Sequence, residues 1–264
     1  MRADGVSKIE AGKQMPERTK IFLQALANRL GYQIRRLDAN VSLADAISEQ
    51  VRLIGTQAKT VIEVGAADGR DAEQYARLFP NAQIIAIEPV PESFAKLASR
   101  ADRTPRLSAI NAAIADSPGR SDFRVGAWVD ASSLMAAKAT HSNYDAYTKS
   151  TKTIVVDTTT LDLLCAEFNL TSIDLLKMDV QGAELLALGG AQNQLRQRSI
   201  GAIYTEVQFT QCYDGAAVYH EIADLLAQQG FRLHNLFNMI HDHRGQLLWG
   251  DALFLHNEHH QQAA

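Results

Sequence analysis

"TVIEVGAADGRDAEQYARLFPNAQIIAIEP", residues 60–89, sets the architecture of this chain. "TVIEVG" is a short apolar run ending in glycine and reads as a buried strand. "DAEQYARLF" reads as a helix, and "AQIIAIEP" as a second strand. Strand, helix and strand in succession make a right-handed crossover between parallel neighbours.

The same alternation continues outward. "PESFAKLASRA" is a helix opened by proline, and "RLSAINAAI" is a third strand. Further on come "IDLLKMD" (strand), "GAELLALGGAQNQL" (helix), "IGAIYTEV" (strand) and "GAAVYHEIADLLAQQG" (helix, stopping at Gly230). "FRLHNLF" and "GDALFLH" have no helix between them. They read as a terminal antiparallel pair joined through "NMIHDHRGQLLW". The expected class is α/β with a mostly parallel sheet. Residues 116–160 interrupt the pattern. "SDFRVGAWV" and "TKTIVVDTTTL" suggest an added hairpin, and "DASSLMAAKATHSNYDAYTKS" between them a lid or flexible loop. Upstream, residues 1–15 are polar, "PERTKIFLQALANRLGY" carries a helical stripe ending at Gly31, and a second helix is expected over residues 41–54. Residues 1–58 thus read as a tail and helical extension, and 59–264 as the main domain.

Composition narrows the class of function. The 264 residues are 46% hydrophobic and 21% charged, as in ordinary globular proteins. No run approaches a membrane span of about 20 apolar residues. No secretory signal is visible, and Cys165 and Cys212 lack metal-type spacing, which fits reduced thiols in a cytoplasmic protein. A net charge of −4 argues against a nucleic-acid partner, and Arg29, Arg35 and Arg36 form only a short basic cluster. The N-terminal helices suit a homodimer contact or a cap.

Ligands of open α/β sheets bind beyond the carboxyl ends of the strands. "VIEVGAADG" places Glu63, Gly65 and Gly69 at such an end. The spacing is G-x-x-x-G rather than the G-x-G-x-x-G that seats a pyrophosphate, which points away from a nicotinamide oxidoreductase. Glu88 ends the second strand, where a carboxylate can accept both hydrogen bonds of a ribose diol. Together these favour a nucleoside ligand without a diphosphate.

"VIEVGAADG", "IEPVPESFAKL", "NAAIADSPG", "TTLDLL", "IDLLKMDVQGAELLALGG", "IYTEV" and "DALFL" occur in this order. In these blocks, over residues 59–256, the chain resembles the FkbM family of S-adenosylmethionine-dependent methyltransferases, mostly O-methyltransferases of sugars or natural products. The D-V-Q/E-G-A-E and E-P-x-P blocks are specific in combination. The family usually has Asn where this chain has Ala67. The resemblance implies a Rossmann-like class I fold with a seven-stranded sheet and helices on both faces. It implies S-adenosyl-L-methionine lying across the first, second and fourth strand ends. Glu63 and the backbone of Gly65, Ala66, Ala67, Asp68 and Gly69 would hold the methionine end. Glu88, beside Pro89, would hold the ribose, and Asn111 to Ala113 would border the adenine.

The chemistry then falls on "LLKMDVQGAELLALGG", residues 175–190. Methyl transfer to a hydroxyl needs the oxygen held in line with the sulfonium and a group to take its proton. Asp179, at the strand mouth and also against the cofactor, is the first candidate. Lys177, two residues back on the same face, can pair with it. Glu206 ends the next strand and should lie beside Asp179. These two carboxylates could also hold a divalent cation such as Mg, though none is expected. Glu184 reads as a favourable charge at a helix N-terminus. His241, of the His241–His243 pair, is a further candidate base or substrate contact. In the insert, Ser132, Ser133, His141 and Tyr144 could contact a polyhydroxylated substrate, with Trp128 as a stacking wall. The expected function is O-methylation of a hydroxyl on a sugar, glycan or secondary metabolite. The competing expectation is a silent binding module on the same fold.

Overall fold

The computed structural model describes residues 17–29, 45–127, 131–138 and 149–259. The chain divides into two compact units, residues 1–43 and 44–264. The first contributes helix α1 (Glu17–Arg29), whose Ile21, Phe22 and Leu26 are exposed.

In the second unit, α2 (Ala46–Ile54) is started by Asp45, whose side chain accepts the Ser48 N–H. Then follow β1 (Thr60–Val64), α3 (Arg70–Leu78), β2 (Gln83–Ile87), α4 (Pro91–Ala101) and β3 (Leu107–Ile110). The interruption holds β4 (Ala113–Ile114), β5 (Gly119–Gly126) and β6 (Ser150–Thr159). The remainder is α5 (Leu161–Glu167), β7 (Ile173–Met178), α6 (Glu184–Gly189), α7 (Gln192–Arg196), β8 (Ile200–Gln208), α8 (Tyr219–Gln228), β9 (Phe231–His241) and β10 (Leu247–His256).

Seven strands form one sheet in the order β3-β2-β1-β7-β8-β10-β9. All neighbours are parallel except β10, which runs antiparallel to both β8 and β9. This is the seven-stranded, mostly parallel arrangement with helices on both faces that the resemblance implied. The order reverses at β1, so β1, β2 and β7 open a crevice at their carboxyl ends. Strand residues alternate between two cores. Ile62, Val64, Leu176, Met178 and Ile203 pack with residues of α5 to α8. Val61, Ile84, Leu175 and Leu253 pack with α2, α3 and α4. Burying each such aliphatic side chain contributes about 1.5–3 kcal/mol. Helix α2, grouped from sequence with the extension, packs here with the 44–264 unit through Ile47, Val51 and Ile54. Among the described residues no helix is long and apolar enough to cross a membrane.

Three local expectations are corrected and a fourth is narrowed. "RLSAINAAI" is not one strand. The chain turns at Asn111, whose amide donates to the carbonyls of Glu88 and Pro89, and β4 then joins β6 and β5 in a separate three-stranded sheet. "GAELLALGGAQNQL" is two short helices rather than one. Gly190 lies between them, and a Cβ there would meet the Ala115 carbonyl oxygen at 2.2 Å. The connection after "FRLHNLF" is mostly strand, closed by a turn in which Asp242 accepts the N–H groups of Arg244 and Gln246. The insert, over residues 131–138, is fastened rather than loose. Ser133 pairs with Arg124, and Ala137 pairs with Tyr213.

Candidate active site

The carboxyl ends of β1, β2 and β7 are tied together by backbone hydrogen bonds. The N–H groups of Gly65 and Ala66 donate to the Ile87 carbonyl, and the Asp179 N–H donates to that of Val64. The approach is so close that a Cβ on Gly65 (φ +79°) would sit 1.9 Å from the Asp179 carbonyl oxygen. Beyond these ends lies a cavity of about 430 Å³, within the usual range of about 300–1,000 Å³ for small-ligand sites. It brings together Glu63, Gly65, Ala66, Ala67, Asp68, Glu88, Pro89, Ala113, Lys177, Asp179 and Ser132. Ile114, Phe123 and Leu134 supply apolar wall that the sequence reading did not include. Ile114 and Phe123 lie in short strands whose alternation could have pointed to them, whereas Leu134 lies in a bend of the insert and carried no such signal.

Glu88 is held rigidly. One carboxylate oxygen accepts the Ala67 N–H at 2.9 Å and the other the Val90 N–H at 2.8 Å. A carboxylate oxygen has two lone-pair sites, so each can accept a second donor such as a ribose hydroxyl. Asn111 acts from behind. It fixes the end of β2 through the Glu88 and Pro89 carbonyls and does not line the cavity. Gly69 likewise stays outside it and starts α3.

Lys177 does not make the expected pair with Asp179. Its ammonium donates to Glu63 at 2.6 Å and to Asp71, in the first turn of α3, at 2.5 Å. The reason is register: Glu63 is the direct cross-strand partner of Lys177, while Asp179 lies beyond the strand end. Burial works against the Lys177 ammonium, yet the neighbouring Glu63, Tyr75 and Asp71 hold its pKa well above the ordinary value. Burial pushes the Glu63 carboxyl up to about 7, opposed by Lys177. The other Glu63 oxygen, Oε2, is buried and has no hydrogen-bond partner among the described residues. An unsatisfied buried acceptor costs about 1–3 kcal/mol. An ammonium or N–H entering the cavity would relieve that cost, so this end fits the methionine end of the cofactor.

Asp179 and Glu206 are brought together, through a third residue. Gln181 Nε2 donates to Asp179 Oδ1 at 2.8 Å and to Glu206 Oε2 at 3.1 Å. Its own Oε1 accepts the Tyr213 hydroxyl at 2.7 Å. Burial raises the Glu206 pKa well above the carboxylate range, and the charges of Asp179, Glu184 and Asp251 add to this. A cation shared by Asp179 and Glu206 would have to displace the Gln181 N–H group. Among the described residues no group of three or more His, Cys, Asp or Glu could hold a metal ion. Gln181 lay within the D-V-Q-G block, but only as a motif letter. Tyr213 carried no sequence signal.

The remaining candidates separate. Ser132 lines the cavity and accepts the Gly126 N–H. The Ser133 hydroxyl is turned away, donating to the Gln181 carbonyl and accepting the Met135 N–H. His241 ends β9 on the same edge of the sheet but three strands from β7, about 14 Å at ordinary spacing, and is outside the cavity. His243 accepts an N–H from Arg244. His141, Tyr144 and Trp128 lie outside the described residues.

The chain is similar to several known proteins. A 2-O-methyltransferase, NoeI, of Sinorhizobium fredii (strain NBRC 101917 / NGR234) is 30% identical over 225 residues, covering 83% of this chain and 90% of that protein. Among solved structures, M. capricolum TrmK with bound S-adenosyl-homocysteine aligns with a TM-score of 0.45 at 8% identity, over 81% of this chain and 69% of that one. An rRNA methylase from Streptococcus thermophilus aligns with a TM-score of 0.45 at 11% identity, over 82% and 99%. The methyltransferase FkbM domain model matches residues 63–233. The chain therefore belongs to the FkbM family of methyltransferases, with S-adenosyl-L-methionine as its cofactor.

Proposed function

We propose that this enzyme places a methyl group on a hydroxyl of a sugar, glycan or secondary metabolite. The observation that carries the reading is the position of Asp179, which lines the cofactor cavity and, through Gln181, adjoins Glu206. The relative named as a 2-O-methyltransferase supports oxygen as the acceptor atom. The cofactor supplies an electrophilic methyl carbon on a sulfonium. When bound, it would give that methyl to the acceptor oxygen and keep the electron pair of the broken carbon–sulfur bond on sulfur. The hydroxyl proton must leave, and Asp179 receives it. Glu63, Lys177, Glu88 and the backbone from Gly65 to Asp68 bind and orient the cofactor. Ser132 and Leu134 from the insert wall the cavity against water. The fixed acids and the anchored insert pre-organise the reacting groups, and a well-placed base contributes about 10²- to 10⁴-fold.

The test is incubation with methyl-labelled cofactor and a panel of neutral oligosaccharides and hydroxylated small molecules, with mass spectrometry locating the new methyl. Asp179→Asn should lower turnover by about 10²- to 10⁴-fold while S-adenosylhomocysteine still binds. Unchanged turnover in that variant, or transfer to nitrogen alone, would refute the reading.

A further inference from the structure

Gln181 does not line the cavity, yet it sits at a junction of side chains beside it. It follows β7 with φ +53°, a left-handed conformation uncommon for a residue with a side chain. Its side chain reaches two carboxylates and a phenol at once. The amide Nε2 meets Asp179 at 2.8 Å and Glu206 at 3.1 Å, and Oε1 meets the Tyr213 hydroxyl at 2.7 Å. Its backbone carbonyl accepts the Ser133 hydroxyl at 2.8 Å, so the insert fastens the same residue.

An amide can be turned over, exchanging its oxygen and nitrogen, unless its partners dictate otherwise. Here they do. A carboxylate oxygen only accepts, so the N–H₂ must face Asp179 Oδ1, and Glu206 Oε2 takes its second N–H. Tyr213 donates its proton to the opposite side of the amide. Burial pushes the Tyr213 hydroxyl pKa up, and the nearby Glu206 adds to this, so the phenol stays protonated and remains a donor. Tyr213 in turn is seated against Gly182, where a Cβ would lie 3.0 Å from its ring.

We propose that Gln181 is a positioning residue for methyl transfer. Locked in one orientation by Tyr213, it clamps Asp179 against Glu206 so that Asp179 stands ready to take the acceptor's hydroxyl proton. This rests on the hydroxyl-methylation reading above. The groups facing the pair are Glu184 from α6, Asp251 from β10, and Lys177 with Glu63 from the central strands. Three of these four are acids and work against ionised carboxylates, whereas the N–H bonds from Gln181 work for them. Hydrogen bonds to a carboxylate lower its pKa, and their loss raises it. The proton leaves the acceptor oxygen for Asp179, and no other reactant is needed.

Two variants test the role. Gln181→Met keeps length and removes both N–H groups. Tyr213→Phe keeps the packing on Gly182 and leaves the Gln181 backbone untouched. In Gln181→Met the acid limb of the pH–rate profile should move up by about one unit. Its kcat near neutrality should fall by about 10- to 100-fold and recover partly at higher pH, with KM for the cofactor unchanged. Tyr213→Phe should show a smaller change in the same direction, and the double variant should be no worse than Gln181→Met alone. A second readout needs neither cofactor nor acceptor. In protein carrying ¹³C-labelled Glu carboxylates, with Glu206→Gln assigning the resonance, the Glu206 midpoint should rise in Gln181→Met. If the wild type methylates a hydroxyl and neither midpoint nor pH limb moves, Gln181 has no such role. A uniform loss at every pH, accompanied by lost thermal stability, would make it merely structural. If the wild type methylates no hydroxyl, the reading of function fails and takes this role with it.

Discussion

Ala67 is held at φ +46°, on the turn that carries the cofactor cradle. A Cβ in that region costs about 1–2 kcal/mol, which glycine avoids and asparagine tolerates better. This explains the Asn usual in the family at this position: Ala67 keeps the turn but carries its strain. Its N–H is committed to Glu88, so the conformation is imposed by the site. Ala67→Gly should stabilise the folded chain by up to about 1 kcal/mol, the relief of strain exceeding glycine's extra unfolded-state entropy. Urea unfolding should show the midpoint rise with no change in slope. Gly65 is the converse case. Its turn could accept another residue only by pushing the Asp179 carbonyl away, so the strand ends would part.

Helix α6 shows one electrostatic preference overruled by another. A carboxylate in a first turn gains about 0.3–1 kcal/mol from the helix dipole. Glu184 has that placement, but it is also buried, and burial drives its pKa up to about 7 even though the Gly182 N–H donates to it. Desolvation therefore outweighs the dipole. The folded-state pKa lies above the unfolded one. Its contribution to stability is thus fully present below about pH 4.5 and is lost as pH climbs through about 7. The loss is on the order of 3 kcal/mol. Glu184→Gln should shrink the fall in stability between pH 4.5 and 8, measured by urea unfolding at several pH values. Glu206, also raised, leaves some of the slope in place.

The 44–264 unit holds all of the cavity lining, both sheets and both large cores. Residues 44–264 alone should therefore unfold cooperatively and bind S-adenosylhomocysteine as tightly as the full chain. Calorimetric titration of both proteins checks this, and a loss of affinity greater than about tenfold, or about 1.4 kcal/mol, would show the first unit contributing to the site.

The succession of strands and helices could be read before any coordinates, because hydrophobic period, glycine stops and a proline start are properties of neighbours along the chain. So could Glu63, Glu88 and Asp179 as strand-end acids, since in parallel sheets the carboxyl ends share one edge. Partnerships could not. Lys177 turned to Glu63 and Asp71, 114 and 106 residues away, because register placed them nearer than Asp179. Gln181 joined Asp179 to Glu206 and met Tyr213, 32 residues on, by side-chain reach across three elements. The break at Gly190 and the fastening of the insert likewise depend on which backbones come to lie against each other. Local periodicity is written residue by residue, whereas the choice of partner for a buried charge is made only when the sheet closes around it.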